Sequence, residues 1–278
     1  MLIFLPIKMP QIFAILNISP DSFSDGGLYG SVQEAIERVK ILLAKSVYAV
    51  DVGAVSTRPN AVAVDVDEEI ARLGQSLPQI IKVVKTGGAK ISLDSFNYKT
   101  ICYGVDAGID IINDVNALKD ERFIDVLASN LHLDIVFMHS LVVPADKNIV
   151  MQQNNYELLI EIANYASIKI AKMLDRGIAL GRIIFDPGIG FGKNSWQGLY
   201  IMQNLFALKQ MIRQNLGLKT TTEIQILIGH SRKSILRDLS GYTLTNNKEA
   251  DNKTLDALTT LTTNILLQNP SCNFVRVH

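Results

Sequence analysis

The sequence predicts an α/β protein: a TIM (β/α)8 barrel, built as one domain over residues 1–278. Three observations carry this. Eight short, nearly continuous apolar runs recur along the chain, as strands buried on both faces do. Helical periodicity fills the gaps between them, and strand–helix alternation implies right-handed βαβ units in a parallel sheet. Each run also ends at or beside a polar or charged side chain. Eight strands in this length suit a closed barrel, with an open doubly wound sheet as the runner-up.

The elements follow in order. The first run, 12–18, breaks at Asn17 into a polar stretch with two glycines, "SPDSFSDGG". Residues 14–18 are expected to line the barrel core. Val32, Ala35, Ile36, Val39 and Leu43 then share one helical face, with Ser31 and Glu34 as a capping box ahead of it. The second run, 49–53, carries Asp51 and leads to Ser56, Thr57, Arg58 and Pro59. The third, 90–93, meets Asp94; the fourth, 109–113, ends at Asn113 and Asp114; the fifth, 133–139, ends at His139. Leu159, Ile162, Ala163, Ala166, Ile170 and Met173 repeat the helical pattern. The sixth run, 183–186, opens "DPGIGFGK" at Asp186, and the seventh, 225–229, opens "GHSRKS". The polar stretch 241–254 is expected to be a loop before a helix that faces inward through Leu255, Leu258, Leu261 and Ile265. The eighth run, 274–277, carries Arg276, and the sequence stops at His278, so no eighth helix is expected in this chain.

Composition narrows the function classes. Hydrophobic residues make up 48%, ample for a large core, and 27 basic residues balance 27 acidic ones. A nucleic-acid partner, which would need a basic stripe, is not expected. An anionic small molecule stays open, because local charge matters more than net charge. Cys102 and Cys272 belong to no CxxC or Cys/His cluster and are expected to be small core residues of a cytoplasmic chain. The apolar start "MLIFLPIKMP" lacks a basic n-region and a cleavage site. No apolar run reaches about 18 residues, so no membrane span is expected.

The polar strand ends carry the chemistry. In such barrels active sites form at the C-terminal ends of the strands. Solvent proximity explains one or two polar ends, not eight. Asn17, Arg58, Arg276 and His278 can hold an anion. Asp94, Asn113, Asp186 and Lys233 can read a flat heterocycle by its edge, because a carboxylate accepts two parallel N–H bonds and a 2-amino-pyrimidinone offers such a pair. The region after strands seven and eight, where barrels of this kind bind phosphate, supplies Ser231 and Arg276. The glycines of "DPGIGFGK" do not form a phosphate loop and suit a tight turn with positive φ.

These segments together resemble the dihydropteroate synthase family, pterin-binding barrels of folate biosynthesis. The matching stretches are "AILNISPDSFSDGG", "DVGAVSTRP", "ISLDSF", "INDVNAL", "FMHS", "IIFDPGIGFGK", "GHSRKS" and "VRVH", in the family's order, from residue 14 to the last. The resemblance implies condensation of 6-hydroxymethyl-7,8-dihydropterin pyrophosphate with p-aminobenzoate, giving 7,8-dihydropteroate and pyrophosphate, with Mg2+ as cofactor. It implies a pterin pocket of Asp94, Asn113, Asp186 and Lys233, and a pyrophosphate site of Asn17, Arg58, Arg276 and His278. Asn17 and Asp21 fall near the metal. Thr57, Pro59, Phe191 and Ser231 fall near p-aminobenzoate, and the loops after strands one and two would close over the substrates. Asp94, Arg58 and Lys233 are the candidate catalytic residues. A homodimer and sulfonamide sensitivity are further family expectations.

The implied chemistry is dissociative. Pyrophosphate leaves once neutralised, Asp94 stabilises the cation spread over the pterin, and the aniline nitrogen attacks. The chain departs from the family's pattern at Ala54, Val55 and Asn60, in "NDVNAL", and at His230. Two alternatives stay open: a methyltetrahydrofolate-binding methyltransferase-like barrel, and a non-catalytic pterin-binding barrel.

Overall fold

The computed structural model describes residues 9–18, 27–53, 65–74, 76–116, 118–146, 148–245 and 247–278. The strands β1 (Gln11–Asn17), β2 (Ala49–Gly53), β3 (Lys90–Asp94), β4 (Ile111–Asp114), β5 (Asp134–Met138), β6 (Ile183–Asp186), β7 (Gln225–Gly229) and β8 (Phe274–Val277) close into one barrel in chain order. Every neighbouring pair is parallel, and β8 returns to β1 with Phe13 opposite Arg276. The expected barrel is therefore the observed one, and the open sheet is excluded.

The helices are α1 (Gly27–Leu43), α2 (Val66–Leu73), α3 (Ser76–Thr86), α4 (Tyr98–Ala107), α5 (Arg122–Ser129), α6 (Asn155–Asp175), α7 (Ser195–Gln203), α8 (Leu205–Asn215), α9 (Ser234–Ser240) and α10 (Lys248–Leu267). Two helices follow each of β2, β6 and β7. Local chemistry starts several of them. The Asp65 carboxylate accepts from the Asp67 N–H at the head of α2, and Asn194 with Gln197 forms a capping box on α7. α6 buries all six residues of its expected apolar face.

Three expectations about the helices are corrected. α1 begins at Gly27, so Ser31 and Glu34 lie inside the helix rather than at its start. The second half of the polar stretch 241–254 is helical, because the Asn247 side chain accepts from the Glu249 and Ala250 N–H groups and starts α10 at Lys248. The inner face of α10 also differs: Leu261 and Ile265 are exposed, while Thr259 and Leu266 are buried.

Strand alternation divides the barrel by height. Successive side chains point to opposite faces. Ala14, Leu16 and Ile18 of the first run join the large cluster between sheet and helices, so only part of 14–18 faces the barrel interior. The interior floor is a separate cluster of Phe13, Ala49, Ile111, Val136, Ile184, Leu227 and Phe274. Phe13 meets Phe274 edge-on at 5.3 Å between centroids. Two residues further along each strand, the same parity brings Asp51, Ser92, Asn113, Asp186 and Arg276 inward. Two further still it brings Asn17, Gly53, Asp94, Ser231 and His278 to the mouth.

Candidate active site

Charge at the mouth is organised by Arg276. Its Nε donates to Asp51 Oδ2 at 2.5 Å and its Nη2 donates to Asp94 Oδ2. Asp51 is fully buried. It also accepts from Ser92 Oγ at 2.5 Å and from Asn113 Nδ2 at 3.0 Å. One network thus spans β2, β3, β4 and β8. Asp51 was read from the sequence as the polar residue of the second run but was given no role in the site; its signal was a lone carboxylate inside an apolar strand.

A second group lies across the mouth. Asp186 Oδ1 accepts the Gly188 N–H at 2.7 Å. Gly229 carries no side chain, and the place a Cβ would take is 3.6 Å from Asp186 Oδ2, 3.8 Å from Lys233 Nζ and 4.0 Å from Arg276 Cβ. Lys233 Nζ donates to the Ile189 carbonyl at 2.5 Å and stands 4.8 Å from the centre of the Phe191 ring. Phe191 packs with Val115, Met138 and Ala145 in an apolar cluster beside the mouth. A Cβ on Gly53 would likewise sit 3.7 Å from Asp94 Cβ and 3.9 Å from Asn17 Oδ1, which puts Asn17 beside Asp94. Ser231 Oγ and His278 Nδ1 are 3.0 Å apart.

Burial sets the proton affinities. It raises the Asp94 carboxyl to about 7, against the pull of Arg276. It raises Asp186 as well, opposed by Lys233 and the Gly188 N–H. It lowers Lys233 to about 8, opposed by Asp186. Burial would also lower Arg276, but Asp51 and Asp94 outweigh it and hold the guanidinium above its ordinary value.

Of the residues singled out from the sequence, Asn17, Asp94, Asn113, Asp186, Phe191, Ser231, Lys233, Arg276 and His278 converge on this end of the barrel. Asp21, Thr57, Arg58 and Pro59 lie outside the described residues. The departures at Ala54, Val55 and Asn60 lie there too. One difference concerns Arg276, expected to hold an anion: it is already paired with two carboxylates, and its Nη1 has no partner among the described residues. The sequence also missed Lys193, a buried lysine bonded to His139 behind the "DPGIGFGK" loop.

The fold and the mouth define a barrel enzyme with its polar groups gathered at the C-terminal ends of the strands. Residues 13–278 match the family described as pterin binding enzyme, and the chain belongs to that family. It is 36% identical over 242 residues to the dihydropteroate synthase of Neisseria meningitidis serogroup C, covering 85% of this chain and 79% of that protein. It is 31% identical over 272 residues to a folate synthesis bifunctional protein of Arabidopsis thaliana, covering 98% of this chain but only 54% of that longer protein. The crystal structure of dihydropteroate synthase from Anaplasma phagocytophilum, with bound 6-hydroxymethylpterin-monophosphate, superposes with a TM-score of 0.79 at 28% identity, covering 97% of this chain and 93% of that one.

Proposed function

We infer that this chain is a dihydropteroate synthase, a single pterin-binding barrel domain that joins 6-hydroxymethyl-7,8-dihydropterin pyrophosphate to p-aminobenzoate. The observation that carries the reading is the convergence of Asp186, Lys233 and Arg276 around Gly229. A carboxylate there can accept the paired N–H donors of a flat ring's edge, and the glycine puts no side chain in the way.

Each residue has a part in this reading. Asp186 and Asn113 take the pterin edge, and Lys233, cationic below pH about 8, donates to it. Arg276 links ring and anion: it holds Asp51 and Asp94 through Nε and Nη2 and offers Nη1 to the pyrophosphate. His278, Asn17 and Arg58 complete the anion site. As pyrophosphate departs, positive charge grows on the pterin, and the Asp94 carboxylate stabilises it. Thr57, Pro59, Phe191 and Ser231 seat p-aminobenzoate for attack through its amine.

Mg2+ fits the donor chemistry. Asn17 brings a hard oxygen to the end of β1, and Asp21 would add a second. Mg2+ is commonly held by one or two protein oxygens together with waters and substrate phosphates. Among the described residues no group of three His, Cys, Asp or Glu could hold a metal alone, which suits an ion shared with the substrate. When bound, it neutralises the leaving pyrophosphate.

A homodimer is part of the reading, supported by apolar side chains left exposed on α8 and α10, Phe206, Leu261 and Ile265. So is a cytoplasmic location, supported by two free cysteines and by the lack, among the described residues, of a helix long and apolar enough to cross a membrane.

The test is a coupled assay for pyrophosphate. Release that requires both substrates, with dihydropteroate appearing in equal amount, is expected. Binding of the dihydropterin pyrophosphate without any release would favour a non-catalytic barrel. Turnover of methyltetrahydrofolate in its place would favour a methyltransferase-like one.

A further inference from the structure

Lys193 is buried at the end of the 186–193 loop and takes no part in the chemistry above. Its Nζ donates to His139 Nδ1 at 2.5 Å, to the His139 carbonyl at 3.0 Å and to the Phe191 carbonyl at 3.1 Å. These three acceptors surround the Lys193 amine, whose proton affinity burial lowers well below its ordinary value against the pull of Asp186. His139 closes β5 and is itself held: its N–H donates to the Asp186 carbonyl at 2.9 Å, and its ring stands edge-on to Tyr165 at 4.8 Å. Burial and then Lys193 lower the imidazole to about 3, so it is neutral and can accept at Nδ1. The loop is therefore tied to one residue at both ends, through Asp186 and through Lys193. The fit between them is close. Gly188 has a φ of 71°, and a Cβ there would lie 2.0 Å from the His139 carbonyl oxygen and 3.2 Å from Lys193 Nζ.

The same loop carries the Asp186 carboxylate, the Ile189 carbonyl that accepts from Lys233, and the Phe191 ring beneath Lys233. Resting on the proposed reaction, we propose that Lys193 and His139 are positioning residues, a buried lysine–imidazole clamp that sets Asp186, Phe191 and Lys233 at the height the pterin ring requires. Neither touches substrate. A displacement of about 1 Å in such a frame can cost on the order of a hundredfold in rate.

The experiment compares the wild-type chain with Lys193→Met, His139→Leu and His139→Asn. Lys209→Met is the control: Lys209 is also buried, bonded to Glu223 and Asn273 at the opposite end of the barrel. Binding of the dihydropterin pyrophosphate is measured by calorimetry, with melting temperature, kcat and the KM of each substrate. Lys193→Met and His139→Leu are expected to weaken binding roughly ten- to a hundredfold. His139→Asn, whose amide oxygen takes the place of Nδ1, is expected to retain most of the affinity. Lys209→Met is expected to lower the melting temperature while binding as the wild type does. A Lys193→Met protein that melts earlier yet binds normally would overturn the clamp. If that variant fails to fold, equal affinities for His139→Leu and His139→Asn would overturn it instead. A wild type that binds the pterin but forms no dihydropteroate would sink the proposed reaction alone, because the binding series still decides the clamp.

Discussion

Asp51, Arg276 and Asp94 place two carboxylates around one guanidinium at the barrel mouth. Removing one partner from a buried ion pair costs about 3–5 kcal/mol, because a charge is left without compensation. Arg276→Met should therefore destabilise the protein by about that much at neutral pH. The loss should also depend on pH. Asp94 has a folded value of about 7, above its ordinary 3.8, so its neutral form is the one the fold favours. That contribution is complete below the ordinary value and is lost as pH rises through the folded one. Arg276 pulls the folded value down, so its removal raises it further. The variant's deficit should be larger at pH 8 than at pH 5 in urea unfolding. Equal deficits at both would contradict the pairing. At this scale the sequence showed the residue types but not their partners. Arg276 and Asp94 each stood out at a strand end, yet they lie 182 positions apart and nothing local pairs them. Asp51 was legible only as a polar residue of the run 49–53, whereas β2 carries it inward beneath Asp94.

α10 shows what element-scale reading misses. Counting apolar residues aimed Leu261 and Ile265 inward, but the helix docks through Thr259, Thr263 and Leu266. Its register is set by His230, the last residue before "SRKS". The His230 Nε2 lies 2.9 Å from Thr263 Oγ1, and the Arg232 N–H donates to Thr259 Oγ1 at 3.1 Å. A polar helix face has no apolar period to betray it, so this docking was not legible. The "DPGIGFGK" turn was, since Gly188, Gly190 and Gly192 all take the positive φ expected of them. His230 also brings a cost: its Nδ1 is buried with no hydrogen-bond partner among the described residues. Burial lowers its pKa to about 4 from 6.5. The folded state then holds fewer protons than the unfolded chain between those values, and stability falls as pH drops through that window, by roughly 3 kcal/mol in full. His230→Val removes both the orphan nitrogen and this pH dependence. Near pH 7.5 the lost bond to Thr263 and the relieved nitrogen should nearly offset, each being worth about 1 kcal/mol or a little more. At pH 5 the variant should be the more stable protein. A wild type at least as stable as the variant at pH 5 in chemical unfolding would disprove it.

The whole barrel separates stability from chemistry along its axis. The floor is apolar and aromatic, the next layer is charged, and the mouth is polar, all from one parity of the strands. The strand-end pattern made the upper layers legible in the sequence, because each end broke an apolar run. The floor was less so, since inward and outward residues are both apolar and no alternation separates them. Phe13 tests the division. It is fully buried, tilted against Tyr48 at 5.5 Å and edge-on to Phe274 at 5.3 Å between centroids. Phe13→Ala should leave a cavity and cost about 3–5 kcal/mol. A domain with about 5–15 kcal/mol of stability can lose that much and remain folded at low temperature. Substrate would still meet an unchanged mouth, because the floor lies one full side-chain layer below Asp51 and Arg276. Melting temperature should therefore fall sharply while kcat and both KM values, taken well below it, stay within about twofold, as expected for the N-terminal side of such barrels. A rise in the pterin KM comparable to that of a mouth variant would mean that the floor sets the height of the charged layer, and that packing and recognition in this barrel are one system.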